Sequence, residues 1–322
     1  MKKTPSDNQK LMRKIEKERK DKAAGAFFGL IIGDALGAAV EFKKRDSFEQ
    51  LKDMRGGGPH GLDAGYWTDD SSMALCLAES LAEKGYQPQD QLRRYLDWYR
   101  NGYLSSTGDC FDIGVNTARS LEYFEKNKEL PPEKDRAAGN GSLMRLAPVP
   151  IYFRDDFKKA VKYSGKSSLT THNNRMAVDS CRYFGGLLQQ FINARIEMEA
   201  FKIKVIKDTA VDLNLDERVI TAVNGAFKNE RREIKSDGFV INTLEASLWA
   251  FLNSDSFKEA VLLAANLGDD ADTVAAVTGQ LAGAYYGLDQ IPGRWIEKLA
   301  KLELLNSSFE KLYNSKEKSP DS

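Results

Sequence analysis

Glycine returns at every fourth position in the stretch AAGAFFGLIIGDALGAAV, as Gly25, Gly29, Gly33 and Gly37. Residues four apart share one face of an α-helix. Each glycine in a helix interior costs about 1 kcal/mol relative to alanine, so four on one face need a reason. In a soluble protein that reason is a second backbone approaching along the bare stripe. The run spans residues 23–40, near the lower length limit for crossing a bilayer, where the same spacing would be a small-xxx-small dimer face. Asp34 interrupts it, and an unpaired carboxylate at the bilayer centre costs about 2.5–3.5 kcal/mol on insertion scales. The stretch is therefore read as a buried core helix, with Asp34 and Glu41 emerging toward its C-terminal end.

The rest of the chain reads as helices joined by short loops. Residues 88–100 open with Pro88 and carry Leu92, Tyr95, Leu96 and Tyr99 at helical spacing. Similar stripes occupy 113–127, 172–194, 198–212, 240–252, 256–266 and 273–286, and a further helix runs through Met73–Leu81. Alternation of period two is confined to a short stretch near Pro148–Phe153, and no βαβ rhythm appears. Loops are marked by GGGP at 56–59, SSTGD at 105–109 and PPEKDRAAGNG at 131–141; none is long enough to link domains. The expected fold is one compact all-α domain over residues 22–305. Residues 1–21 form a basic extension and residues 306–322 a polar tail. The richest motifs lie at both ends of the domain, so its first and last helices must meet if they build one site.

The 322 residues hold 47 Lys+Arg, 47 Asp+Glu and two histidines, His60 and His172. A net charge of zero provides no global field for nucleic acid or an anionic membrane, and neither is expected as a partner. Two distant histidines leave little room for a His-rich zinc site. Three cysteines without a CxxC pair suit a reducing, cytoplasmic setting. The first 22 residues carry nine basic and four acidic side chains and lack the apolar stretch of a signal peptide. They read as a solvated helix leading into the domain, or as an arm that touches a partner.

Two acidic clusters carry the chemistry. Thr68-Asp69-Asp70-Ser71 places adjacent carboxylates behind a hydroxyl. Asp269-Asp270-Ala271-Asp272-Thr273 packs three carboxylates and a hydroxyl between two apolar helices. Charges this dense raise one another's pKa unless cations neutralise them. Carboxylate and threonine oxygens suit Mg²⁺, Mn²⁺ or Ca²⁺, not zinc. Each cluster read alone is also an ordinary acidic helix N-terminus; together they are two half-sites for a pair of cations. Gly139-Asn140-Gly141-Ser142-Leu143-Met144-Arg145 is a small-residue loop that could wrap a phosphate or be a tight turn, and it lacks the GK[ST] of a P-loop. His172 stands beside hydroxyls at a helix start.

In order along the chain, GAFFGLIIGDALGAAVEF, WTDDSSMAL, TGDCFDIG, GNGSLMRLAPV, the Thr171-His172 pair and NLGDDADTVAAVTGQLAGAYYG resemble the ADP-ribosylglycohydrolase family. The resemblance covers about residues 22–300. It implies an all-α fold with two Mg²⁺ ions, or Mn²⁺ in some members, in a central cleft. It implies Thr68, Asp69 and Asp70 as one set of metal ligands and Asp270, Asp272 and Thr273 as the other. Asp269 occupies a position often filled by glycine and ranks below its neighbours as a ligand. By the same resemblance, Asp109 and Asp112 lie near the distal ribose. Gly139, Asn140, Gly141, Ser142 and Met144 line the diphosphate and adenosine side, and His172 lines the cleft.

The implied reaction is hydrolysis at the anomeric carbon of the distal ribose, through an oxocarbenium-like transition state. The bond is N-glycosidic for an arginine acceptor and O-glycosidic for serine. Metals would hold ribose hydroxyls and orient a water, with Asp69, Asp70 and Glu41 as candidates for acid–base work. ADP-ribose is a dianion, so this many carboxylates would repel it without bound cations. The expected substrate is an ADP-ribosylated protein, most simply on arginine. The alternative is an immunity or regulatory protein that blocks an ADP-ribosyltransferase toxin through the N-terminal arm.

Overall fold

The computed structural model describes residues 7–133, 138–194, 199–211 and 213–317. Fourteen α-helices occur among them: α1 (Asp7–Gly37), α2 (Asp69–Lys84), α3 (Pro88–Asn101), α4 (Val115–Asn127), α5 (Pro148–Tyr152), α6 (Phe157–Ser168) and α7 (Arg175–Asn193), followed by α8 (Glu199–Val211), α9 (Glu217–Gly225), α10 (Val240–Leu252), α11 (Phe257–Ala265), α12 (Ala271–Tyr286), α13 (Gly293–Lys298) and α14 (Leu302–Asn314). No sheet forms among the described residues; only two isolated bridges occur, Gly57 with Leu62 and Gly139 with Phe239.

The glycine stripe decides how the core is assembled. A methyl group built on Gly25 would lie 2.2 Å from the Gly283 carbonyl oxygen, one on Gly29 2.2 Å from that of Gly279, and one on Gly33 2.1 Å from that of Ala275. At Gly37 it would lie 2.4 Å from that of Ala271. The partner number falls by four as the α1 number rises by four, so α1 and α12 run antiparallel, backbone against backbone. Those contacts are far inside van der Waals separation, so only glycine fits. Ala26, Leu30, Ile31 and Ile32 of α1 and Val274, Val277 and Leu281 of α12 are buried around this pair. No described helix is long and apolar enough to cross a membrane.

Local chemistry fixes several other helix ends. Asp156 accepts from Lys159 N at 3.0 Å, Asn174 from Met176 N at 3.0 Å and Ser256 from Glu259 N at 3.2 Å, each satisfying a donor that the first turn leaves open. The alternating stretch at Pro148–Phe153 is not a strand. It forms α5, whose prolines sit in a first turn that needs no N–H, and all five of its residues are buried, so alternation carries no facial information.

Both expected appendages are partly structured. Residues 7–21 continue α1 as one helix, tied down by Arg19 to Asp155 (2.5 Å), Lys20 to Glu310 (2.7 Å) and Glu16 to the Tyr313 hydroxyl (2.6 Å). The stretch expected as a polar tail from 306 instead carries most of α14, with Phe309, Leu312 and Tyr313 buried. Residues 1–6 and 318–322 lie outside the described residues.

Candidate active site

The antiparallel pairing carries the C-terminal end of α1 to the N-terminal end of α12. The chain leaving α1 then crosses the loop before α12. Phe42 N donates to Asp269 O at 2.7 Å and Asp269 N to Lys43 O at 2.8 Å. Arg45 clamps this crossing by donating to Leu267 O (3.0 Å) and Arg231 O (2.5 Å). The start of α2 is held by Asp34 from the last turn of α1. Its carboxylate accepts from Thr68 N (2.9 Å), Thr68 Oγ1 (2.9 Å), Ser71 N (2.9 Å) and Ser71 Oγ (2.5 Å). Thr68 stands at the N-cap of α2 but makes no capping bond with its own side chain. The cap is Asp34, supplied by another helix. Its pKa is pushed up to about 6 by burial, with the four donors pulling the other way.

Cross-contacts join the two acidic half-sites. Thr68 Oγ1 lies 3.3 Å from Asp272 Oδ2, and Thr273 Oγ1 donates to Asp70 Oδ1 at 3.3 Å. Asp69, Asp70 and Asp272 are buried. Burial and mutual repulsion push all three well above the ordinary carboxylate range, and burial pushes Asp270 in the same direction. Glu41, buried at the edge of the cluster, is pushed up to about 9 by burial and then by Asp112, Asp270 and Asp34; Asp112 rises to about 6. Asp70 Oδ2, Asp272 Oδ1 and Glu41 Oε2 are buried without a hydrogen-bond partner. Orphaned oxygens this costly to bury, in a set made only of carboxylates and hydroxyls, fit hard divalent cations. His60 Nε2 reaches toward the same set, 3.3 Å from Asp112 and 3.5 Å from Glu41, and its ring packs on Phe111 at 5.1 Å. Glu41, His60 and Asp112 each place one ligand atom within 4.8 Å of the others.

The opposite wall presents neutral polar groups to the cleft, with one buried cation behind them. Asn140 Nδ2 donates to Asp270 Oδ2 at 2.7 Å and to Thr243 Oγ1 at 2.9 Å, linking the two walls. A Cβ on Gly141 would lie 2.6 Å from His172 Cε1, so this glycine is required by the imidazole packed on it. Thr171 Oγ1 lies 2.8 Å from His172 Nδ1, and burial with Arg145 nearby lowers His172 to about 3, which keeps the ring neutral. Arg145 is fully buried. It donates to Gly141 O (2.9 Å), Thr170 Oγ1 (3.0 Å) and Thr171 Oγ1 (2.8 Å), and lies over the Tyr95 ring at 4.7 Å. One cation thus fixes the glycine loop to the histidine turn.

Between the walls lies a cavity of about 670 Å³. Of the residues expected from sequence, Glu41, Asp69, Asp112, Gly139, Asn140, Gly141, Met144, His172, Asp270, Asp272 and Thr273 line it. Thr68 and Asp70 are buried and reach it through Asp272 and Thr273. Two expected residues stand apart. Asp109 is exposed on a turn at Gly108, whose φ of +98° directs the chain outward. Ser142 points inward, 2.8 Å from Ser168 Oγ, and braces the loop instead of lining it. Nothing in the local sequence marks Arg145 or Asp237 for a role, and His60 counts there only against a zinc site. Asp34 was noticed as an interruption, but its service to α2 depends on contacts no local pattern reveals.

An all-α domain whose ends close around clustered carboxylates has relatives with known names. Residues 15–321 match the ADP-ribosylglycohydrolase family, and the chain belongs to that family, as an enzyme that hydrolyses glycosidic bonds of ADP-ribose. It is 43% identical to the ADP-ribosylarginine hydrolase Tri1 of Serratia proteamaculans over 92% of this chain and 80% of that one. It is 30% identical to the ADP-ribosyl-[dinitrogen reductase] glycohydrolase of Rhodospirillum rubrum over 87% of this chain and 90% of that one. A solved structure described as an ADP-ribosylglycohydrolase-related protein complex superposes with a TM-score of 0.81 at 39% identity, covering 92% of this chain and 98% of that one.

Proposed function

We propose that this enzyme releases ADP-ribose from arginine side chains of modified proteins, with two Mg²⁺ or Mn²⁺ ions held by Thr68, Asp69, Asp70, Asp270, Asp272 and Thr273. The observation that carries the metal dependence is the set of three buried, partnerless carboxylate oxygens at one end of the cleft. The arginine acceptor is supported by the identity to relatives named for it. Bound there, the ions supply Lewis-acid stabilisation and offset the charge of the diphosphate substrate. The chain's own groups do the rest. Glu41 Oε2 has no donor, so it is free to take a proton from an attacking water or return one to the leaving group. His60 Nε2 lies beside both Asp112 and Glu41, at 3.3 Å and 3.5 Å, at the end of the cleft assigned to the distal ribose. Gly139 and Gly141 let the neutral His172 pack against the loop, so this wall adds no charge to the diphosphate side.

The test is incubation with ADP-ribosyl-arginine and ADP-ribosyl-serine peptides, with and without Mg²⁺ or Mn²⁺. Release from the arginine peptide, abolished by EDTA and restored by cation, is the expected result. Activity persisting in excess EDTA would sink the metal assignment, and exclusive release from serine would sink the acceptor.

A second reading is supported by exposed apolar side chains on the first turns of α1: Leu11 is 55% and Met12 65% exposed. They suit contact with a partner, such as the ADP-ribosyltransferase itself. Deleting residues 1–14 spares Glu16, Arg19 and Lys20. Lost partner binding with hydrolysis intact supports this reading, and no change in either removes it.

A further inference from the structure

Two residues at the cleft mouth are held in a conformation that side chains avoid. Phe42 has φ +59° and Asp269 φ +55°. The left-handed region costs an L-residue roughly 1–2 kcal/mol and is an outlier for a bulky one such as Phe42; aspartate tolerates it better, and glycine occupies it freely. The two residues are joined by the crossing hydrogen bonds Phe42 N to Asp269 O and Asp269 N to Lys43 O. Both line the cavity beside Glu41 and Asp270, and both are exposed, Phe42 to 66%. Packing does not explain the phenyl ring, since most of its surface faces solvent. Nor does internal pairing use up the Asp269 carboxylate, which meets Ser236 Oγ at a long 3.4 Å. The neighbouring acid of the cleft, Asp237, is by contrast engaged by Asn242 and by Phe239 N. Arg45, whose charge Asp269 feels, is committed to the carbonyls of Leu267, Arg231 and Ile234. Lys43 and Lys44 follow in the chain but do not line the cavity.

Strain at an exposed position of a binding cleft points to contact with what binds there. Resting on the arginine reading above, we propose that Phe42 and Asp269 form the acceptor lip of the cleft and select a planar cationic leaving group. A guanidinium stacks on an aromatic face and pairs with a carboxylate at its edge. A serine hydroxyl can use neither contact. The carboxylates deeper in the cleft face the cations and the ribose, whereas the lip is where the side chain of a modified protein must enter.

The experiment compares wild type with Phe42→Gly, Phe42→Tyr and Asp269→Asn at saturating Mg²⁺. Hydrolysis of an ADP-ribosyl-arginine peptide reads the whole site. Inhibition by ADP-ribose, which lacks the acceptor, reads everything except the lip. Phe42→Gly is expected to lower kcat/KM for the peptide about fivefold and Asp269→Asn about threefold, the size of one exposed cation–π or ion-pair contact. Phe42→Tyr keeps the ring and should keep the rate. ADP-ribose inhibition stays within about twofold throughout, and thermal stability does not fall in Phe42→Gly, because glycine suits a positive φ. Unchanged peptide hydrolysis, or equal weakening of ADP-ribose inhibition, overturns the proposal. A wild-type enzyme inactive on the arginine peptide fails earlier and overturns the acceptor reading together with this one.

Discussion

The two walls of the cleft are built on opposite principles. The wall made by Glu41, Asp69, Asp70, Asp270 and Asp272 concentrates like charge and leaves three buried oxygens without a partner. The wall made by residues 139–145 and 168–172 ties its groups together: Arg145 satisfies a carbonyl and two threonines, Ser142 meets Ser168, and His172 is kept neutral. One wall leaves carboxylate oxygens that suit something from outside; the other is tied together by its own hydrogen bonds, with only Arg145 Nε unpartnered among its described side chains. On the metal reading proposed above, the difference separates residues that would bind cations from residues that shape a cavity. A substitution on the first wall should therefore affect ligand and activity, and one on the second should affect the folded state.

The largest effect is expected on the acidic wall. Asp272→Ala removes an oxygen pair within reach of Thr68 and relieves the repulsion of that carboxylate with Glu41, Asp70, Asp270 and Asp112. It should lower kcat/KM by about a thousandfold, equivalent to the several kcal/mol that metal charge stabilisation supplies. Cation titration should shift to higher concentration while the circular dichroism spectrum stays helical. Unchanged cation affinity would remove Asp272 from the ligand set.

The matching cut on the finished wall is Arg145→Met. It leaves Gly141 O and the hydroxyls of Thr170 and Thr171 without their donor in a buried setting, at a cost of about 3 kcal/mol. Denaturant midpoint is the measurement, and cation affinity should change little. If stability is unaffected while cation affinity collapses, the division between the walls is misplaced.

Much of this arrangement was legible in the sequence because it rests on local repetition. The four-residue glycine period announced a backbone-to-backbone helix contact, and Gly279 and Gly283 of α12 supply the other side of it. The acidic clusters were legible as two halves of one site, and the contacts of Thr68 with Asp272 and of Thr273 with Asp70 join them. What escaped depends on partners distant in the chain. TDDS was readable as a helix start, but its cap comes from Asp34, 34 residues upstream of Thr68. His60 meets Glu41 and Asp112 only after the GGGP loop folds back, and no pattern around it says so. Arg145 reads as one more surface arginine until the glycine loop and the histidine turn close over it. The helix at the C-terminal end is hidden for a different reason: α14 interleaves its buried Leu305, Phe309 and Leu312 with enough polar residues to mask the stripe.

The subtlest expected effect is on pH dependence, where the walls should pull in opposite directions. Glu41 has its pKa raised in the folded, metal-free protein from the usual 4.5 to about 9. Its folded form holds a proton more tightly than its unfolded form, so the stability it contributes is full below 4.5 and is lost as pH rises toward 9. Asp69, Asp70 and Asp272 shift the same way and deepen that loss. His172 is lowered from 6.5 to about 3, so its contribution is full above 6.5 and is lost as pH falls toward 3. In chelator, the melting temperature should pass through a maximum in the weakly acidic range and decline on both sides. Saturating Mg²⁺ should lift the alkaline limb alone, because cations bind the deprotonated carboxylates and stabilise the state that holds them. His172→Gln should flatten the acidic limb alone. Melting curves from pH 4 to 9, with and without Mg²⁺, check both statements. A cation effect equal on the two limbs would mean that the cation does not act through this cluster.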